Sequence, residues 1–205
     1  MELRTLDREG LERLYHEELE QVFSDSERRP LRAMLRLREA GRYEALLATE
    51  GDTPVGYAML WLSEAPGSAL LEYLGVLRRR RNAGAGSQIL TLLKERYFQL
   101  FGEAEAPDTG DPAEDDLRRR RIGFYVRNGF RVLDYMCALF GVRFYCLYRG
   151  PETDDNRVLE LHRKVYSDYF SQAHMQRYIQ LPLAPGEEVH PAPSWLEEDE
   201  EGTEA

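Results

Sequence analysis

The stretch with the most chemical content runs Leu70-Leu71-Glu72-Tyr73-Leu74-Gly75-Val76 and then Leu77-Arg78-Arg79-Arg80-Arg81-Asn82-Ala83-Gly84-Ala85-Gly86-Ser87. An apolar run of strand character leads into a basic, glycine-bearing turn, and a helical pattern follows. Glycine lets backbone amides approach a ligand, because no Cβ intervenes. A helix that starts there turns its unbonded N–H groups and the positive end of its dipole into the same space. Phosphate is the natural occupant of such a place; a plain tight turn with a solvated arginine face is the competing reading. Two common phosphate loops do not fit. A dinucleotide fingerprint needs a third small residue where Ile89 stands, and a P-loop needs Gly-Lys-Ser/Thr where no lysine is near.

The elements that must position this turn can be read around it. Glu2–Thr5 reads as a strand, and Asp7 is suited to cap a helix carrying Leu11, Leu14, Tyr15, Leu19, Val22 and Phe23. Pro30 opens a second helix that stops at Gly41. Tyr43–Thr49 and Val55–Leu62 read as strands around a Gly51-Asp52 turn, and Leu70–Val76 as another. From Ser87 to Phe101 the apolar residues, from Ile89 to Phe101, form one helical face. The segment 102–116 carries Gly110, two prolines and seven acids; it reads as a short strand and then a solvated loop. A helix over Leu117–Asn128 follows, stopped by Gly129. Phe130–Phe140 and Arg143–Arg149 read as strands turning at Gly141-Val142, which would set Cys137 facing Cys146. Asp154 is placed to cap a last long helix bearing Val158, Leu161, Val165, Tyr166, Tyr169 and Phe170. This order predicts a mixed α/β chain with helices on both faces of one sheet.

Composition narrows the function classes. The 205 residues fit one domain or two small ones, and 42% apolar with 31% charged is a globular balance. No apolar run is long enough for a membrane span. Met1-Glu2-Leu3-Arg4 lacks the apolar core of a secretory signal, and two cysteines make no disulfide framework, so a cytoplasmic location is expected. The net charge is −10, but the segment Ala184–Ala205 holds eight acids and no Lys or Arg, so the preceding 183 residues carry only −2. A near-neutral body argues against a general nucleic-acid binder. His16, His162, His174 and His190 show no metal-ligand spacing, so no metal is expected. Beyond Pro182 the composition is too polar to order itself. The expected organisation is a domain over 1–150, a helical extension over 151–182 and an acidic tail over 183–205.

Arg81-Asn82-Ala83-Gly84-Ala85-Gly86 resembles the R/Q-x-x-G-x-G/A pyrophosphate loop of the GNAT superfamily, the GCN5-related N-acetyltransferases. Val76 stands five residues before Arg81, as the end of that family's fourth strand does. Arg121-Ile122-Gly123-Phe124-Tyr125-Val126-Arg127-Asn128-Gly129-Phe130 is similar to the family's F-Y-x-x-x-G-F segment, in the expected order and separation. The likeness spans roughly 2–150. It implies a GNAT fold, a central mostly antiparallel mixed sheet flanked by helices, with the last helix as an addition. The implied cosubstrate is acetyl-CoA, its pyrophosphate on the amides of Arg81–Ser87 and its pantetheine along Leu74, Gly75 and Val76. Phe124 falls in the cofactor-binding block. Tyr125 falls on the family's general-acid tyrosine, and Glu72 is the acid placed to accept the amine's proton. Four departures stand out: Arg78 replaces the usual proline, Asn82 a frequent glycine, Ala85 a common isoleucine, and Arg118 an asparagine that often contacts the pantetheine arm. Arg118 would then serve a phosphate or an acid of the preceding segment.

The expected activity is direct transfer of acetyl from acetyl-CoA to a primary amine, with a small molecule favoured over a peptide or protein. A catalytically silent acyl-CoA sensor is the alternative from another class. Glu17, Glu18, Glu20, Asp25 and Glu27 would suit a cationic amine or merely form a solvated helix face. An arylamine acceptor would not need Glu72, since it is neutral near pH 7. Either a monomer or a homodimer is compatible with the sequence.

Overall fold

Asp7 accepts a hydrogen bond from the Gly10 amide at 2.8 Å and so starts the first helix where the cap signal stands. The computed structural model describes residues 1–23, 28–80 and 84–190. Its strands are β1 (Glu2–Thr5), β2 (Tyr43–Glu50), β3 (Thr53–Leu62), β4 (Ser68–Val76), β5 (Gln99–Glu105), β6 (Arg131–Leu139), β7 (Val142–Arg149) and β8 (Ile179–Leu183). They form one mixed sheet in the order β1-β2-β3-β4-β5-β7-β6-β8, flanked by helices. β4 and β5 run parallel, their pairing joining Ser68–Leu71 to Gln99–Gly102. The described residues form two compact units, one of Met1–Leu62 and Glu72–Leu92, the other of Ser63–Leu71 and Leu93 onward. β4 contributes its first four residues to the second unit and Glu72–Val76 to the first. No helix among the described residues is long and apolar enough to cross a membrane.

In the first unit, α1 (Arg8–Leu14) passes into a π-helical turn (Tyr15–Leu19) and a short α2 (Glu20–Val22). After the undescribed residues 24–27, α3 (Leu31–Glu39) follows Pro30. Leu11, Leu19, Met34 and Leu37 are buried against the solvent, as are Leu46, Met59 and Trp61 of the strands. α4 (Ala85–Arg96) begins in this unit and buries Ile89 and Leu90. A close approach between β3 and β4 explains two glycines. A Cβ on Gly56 would lie 2.5 Å from the Gly75 carbonyl oxygen, and one on Gly75 would run into the Tyr57 ring, with the hydroxyl 2.5 Å away. The strand glycine at 75 therefore makes room for a tyrosine of the same unit.

The second unit departs from the sequence reading in five places. The helix expected over Ser87–Phe101 ends at Arg96, and Leu100 and Phe101 belong to β5. They extend the helical stripe by coincidence of spacing, but Gln99–Gly102 finds a strand partner in Ser68–Leu71. The supposed solvated loop ends early: Asp111 accepts from the Ala113 amide at 2.9 Å, Pro112 takes the first turn, and α5 runs over Pro112–Arg127. The β6–β7 turn is Phe140-Gly141, both at positive φ, so Cys137 pairs with Phe144 rather than facing Cys146. The C-terminal extension is two helices, α6 (Asp155–Ser167) and α7 (Gln172–Tyr178), and β8, which pairs with β6. The beginning of the acidic tail is also tied down: Gln180 donates to Glu187 at 2.8 Å and accepts from the His190 amide at 2.9 Å. The rest of that tail lies outside the described residues.

A Gly75→Ala substitution is expected to destabilise the chain by roughly 1–3 kcal/mol, the range for overpacking. Tyr57→Leu in the same chain should recover part of the loss. Urea unfolding of the three variants checks this, and an unchanged midpoint for Gly75→Ala alone would refute the packing account.

Candidate active site

Glu72 sits in the second half of β4, its side chain 12% exposed. A carboxylate at that depth needs donors. Arg29 Nε donates to one oxygen at 2.7 Å, and the Tyr43 hydroxyl donates to the other at 2.6 Å. Arg29 is 1% exposed, and its guanidinium lies 4.5 Å from the centre of the Trp61 ring. Its backbone N–H donates to the Tyr73 hydroxyl at 2.9 Å. Burial, and after it the Glu72 charge, pushes the Tyr43 and Tyr73 phenols well above their ordinary range, so both stay protonated. With both oxygens of Glu72 engaged, one by a guanidinium, its geometry favours a fixed structural charge over a proton acceptor. Sequence reasoning missed Arg29. Its position just before Pro30 carries no signal that it enters the interior.

At the end of β4, Leu74, Gly75 and Val76 are half-buried, and just past it Leu77 donates its amide to the Val55 carbonyl at 2.9 Å. Arg78–Arg80 form a single 3₁₀ turn, closed by the Arg80 amide on Leu77. Arg80 reaches Glu50 at 3.5 Å. Arg81, Asn82 and Ala83 lie outside the described residues. Gly84 has φ +77°, a conformation that favours glycine, and a Cβ there would meet nothing within 4 Å. The helix starts at Ala85, two residues earlier than the pattern indicated. Ala85, Gly86 and Ser87 thus form its first turn, and among the described residues the first internal bond runs from the Gln88 amide to the Gly84 carbonyl at 3.2 Å. The amides preceding Gln88 are left for other partners.

A cleft of about 690 Å³ lies in this same unit. Its lining comes from the π turn and α2 (Glu17, Glu18, Gln21, Val22), from the start of β3, and from Leu77–Arg80. Asp25 and Glu27, also considered for the acceptor side, lie outside the described residues.

In the second unit, Tyr125 stands in the last turn of α5, half-buried. Phe124 and Phe130 pack edge-on against its ring, each with centroids 5.4 Å away. Its carbonyl accepts the Phe130 amide at 3.1 Å, which fixes the helix-to-strand corner. Burial pushes the phenol up to about 12, with Arg121 pulling the other way. Among the described residues its hydroxyl has no hydrogen-bond partner. It is therefore a protonated donor with its proton unassigned. Arg118 is not free in this way. It donates to Glu114 and to the Ala106 carbonyl, both at 2.9 Å, and Glu105 lies at 3.6 Å. The guanidinium serves the acids of its own neighbourhood, the second of the two roles open to it from sequence.

A further polar assembly, unforeseen in the sequence, lies under α6. His162 is fully buried and stacks on Phe101 with ring centres 4.8 Å apart. Its Nε2 is 3.1 Å from Glu103 Oε1, which also accepts from the Tyr166 hydroxyl at 2.6 Å. The Tyr135 hydroxyl is 3.3 Å from its Nδ1. Burial pulls the imidazole down, but Cys146 and Glu103 more than reverse this and raise it to about 9. Cys137 donates to Glu103 at 3.7 Å, and burial drives its thiol up. Among the described residues no group of three or more His, Cys, Asp and Glu side chains is arranged to hold a metal.

The family model for the GNAT acetyltransferases matches residues 8–130. The chain belongs to that family and is an acyltransferase. Solved structures agree on the fold. A protein assigned to the GNAT acetyltransferases from Bacteroides thetaiotaomicron superposes with a TM-score of 0.67 at 19% identity, covering 82% of this chain and 97% of its own. An acetyltransferase from Thermus thermophilus gives 0.50 at 19% identity, over 73% of this chain and 97% of its own. The ribosomal-protein-S18-alanine N-acetyltransferase of Escherichia coli gives 0.50 at 14% identity, over 74% and 96%. Among curated proteins none matches the sequence significantly.

The His162 cluster has a testable pH signature. His162 is raised to about 9; burial pushes the Cys146 thiol up, but Cys137 and His162 more than reverse this and lower it to about 7, so between these values the two stand as imidazolium and thiolate. The proton one gains on folding the other gives up, so the pair adds little slope to stability over that range. The ultraviolet absorbance of a thiolate should therefore be present in the wild type between about pH 7 and 9 and lost in His162→Gln. No thiolate signal in the wild type over that range would show that the imidazole is not held charged.

Proposed function

We propose that this chain transfers an acetyl group from acetyl-CoA to the amine of a small molecule, by direct attack within a ternary complex. The reading rests above all on Tyr125, a half-buried phenol held protonated with no protein acceptor among the described residues. A general acid for a leaving thiolate needs those properties. The cosubstrate supplies the activated acetyl thioester. Its diphosphate would be held by the first-turn amides of α4, Ala85, Gly86 and Ser87, with Gly84 keeping the approach clear of side chains. Arg81, Asn82 and Ala83 are assigned to the same loop by their motif. The main chain of Leu74–Val76 lies beyond the four residues of β4 that pair with β5, and is proposed to bond the pantetheine arm as an added strand would. A backbone N–H there would polarise the thioester carbonyl. Phe124 would pack beside the arm. Arg118 is engaged with Glu114 and Ala106, which supports a role in bracing α5 rather than in cofactor contact.

The amine nitrogen attacks the carbonyl carbon, the C–S bond breaks, Tyr125 gives its proton to the departing sulfur, and the N–H proton released as the amide forms restores the phenol. The attacking amine must first lose its own proton. Glu72 is the acid assigned to that task by position, but its bonds to Arg29 and Tyr43 favour proton loss to water, with Glu72 bracing β4 through Arg29. No covalent enzyme intermediate is required, because holding amine and thioester in register supplies much of the acceleration. A cleft of about 690 Å³ suits a small-molecule acceptor.

Free-thiol release from acetyl-CoA with a panel of alkyl, aryl and peptide amines tests the reaction itself. Cofactor binding without thiol release from any amine would favour the sensor alternative. Tyr125→Phe should lower kcat by about 10²-fold or more, within the range for general acid catalysis, and leave KM for acetyl-CoA nearly unchanged. Wild-type turnover in that variant removes Tyr125 from the mechanism. Gly84→Glu should abolish binding of coenzyme A by calorimetry, since it puts bulk and negative charge at the mouth of the loop. Retained tight binding would refute the loop assignment.

A further inference from the structure

The cleft of the first unit is lined by charges of both signs that do not meet. Glu17 and Glu18 enter it from the π-helical turn, and Arg78 and Arg79 from the segment after β4. These are long side chains, exposed or half-exposed, with freedom to close on each other. Yet among the described residues none of the four is ion-paired, although their neighbour Arg80 does find Glu50. Opposite charges line one concavity of about 690 Å³ without pairing, so a ligand can answer both. The π turn bears on how the acids reach it. A π turn widens the helix and rotates the residues after Tyr15 relative to a regular helix, a distortion that recurs at functional sites. Leu14, Tyr15 and Leu19 stay buried while Glu17 and Glu18 line the cleft. Val22, Pro54 and Leu77 give the space its apolar part.

We infer that this cleft selects a dipolar acceptor: a small aliphatic amine that also carries a carboxylate, with its charged ends several bonds apart. The carboxylate meets Arg78 and Arg79, which can grip it through paired N–H donors. The ammonium end meets Glu17 and Glu18. Val22, Pro54 and Leu77 cover the methylene chain between them. A simple cation would leave the arginines unanswered and be repelled by them, and a simple anion would meet the same objection from the glutamates. This charge-based selection rests on the acetyl-transfer reading for its consequence, but not for the binding itself.

The test uses the full chain with coenzyme A present and four probes of one length: 6-aminohexanoate, 6-aminohexanamide, hexylamine and hexanoate. Binding is read by saturation-transfer NMR and by competition. The dipolar probe is expected to bind at least tenfold more tightly than each of the other three. Arg79→Glu should remove that advantage and leave hexylamine no weaker, and Glu17→Lys should remove it and leave hexanoate no weaker. Equal binding of 6-aminohexanoate and hexylamine overturns the inference, as does failure of all four to bind. It is also overturned if Arg79→Glu weakens coenzyme A while the probe preference persists, since the arginines then serve the cofactor. Calorimetry with coenzyme A on the same samples separates the two levels. Heat with coenzyme A and no dipolar preference removes only the acceptor class, whereas no heat removes the acyl-transfer reading.

Discussion

A carboxylate inside a protein must be answered, and in the first unit Glu72 is answered by Arg29. The pair is nearly closed to solvent, 1% and 12% exposed, and each partner is satisfied further: Glu72 by the Tyr43 hydroxyl, Arg29 by the Trp61 face. Removing one member of such a pair typically costs about 3–5 kcal/mol, because the other charge is left buried alone. Its effect is to tie the entry of α3 to the second half of β4. The Arg29 amide bond to Tyr73 adds a second tie at the next residue along the strand. Everything proposed for the site in this unit closes β4 or follows it directly: the half-buried Leu74–Val76, the arginine turn and the start of α4. Their positions depend on a strand that cannot slide without breaking the ion pair.

The second unit solves a similar problem with a different residue set. Its buried acid is Glu103 on β5, and the donors come from α6, the helix beyond the family's matched segment. His162 and Tyr166 lie one turn apart on that helix and converge on a single carboxylate oxygen. The extension is therefore bonded to the sheet by a polar network as well as by apolar contact through Val158 and Val165. Tyr125 is the contrast within the same unit. Its ring is fixed between Phe124 and Phe130, yet among the described residues its hydroxyl is left unanswered. A buried network that satisfies every donor specifies structure, whereas an unassigned donor on a rigid ring is material for chemistry.

Membership of the family and a fold shared at 19% identity establish the frame and the type of reaction, and the acceptor is decided elsewhere. The cleft of the first unit is lined by residues of this chain's own: Glu17 and Glu18 on the π turn, and Arg78 and Arg79, the first of them where the family resemblance leads one to expect proline. These are surface residues, free to vary without cost to the core.

Local features were legible in the sequence because they are local in cause. Asp7 and Asp154 cap the helices they precede, Gly51 and Gly129 turn the chain where expected, and the Gly84–Ser87 stretch does begin a helix. The family blocks around Arg81 and Tyr125 were legible for the same reason, since each is one contiguous motif. What the sequence could not decide depended on partners distant in the chain. Leu100 and Phe101 continue a helical stripe until Ser68–Leu71 claims their backbone for a sheet. A glycine within a strand, as at Gly75, signals a bulge or a close approach, and only the fold shows that what approaches is the Tyr57 ring of the neighbouring strand. Arg29 gave no sign of entering the core, because a buried cation is recognisable only by the carboxylate it meets, and Glu72 lies 43 residues away. The helix starts, turns and motifs follow from neighbours within about one turn of chain. Which charges are buried, which hydroxyls are satisfied and which face an open cleft is set by folding, because each depends on what the tertiary structure brings within about 3 Å of it.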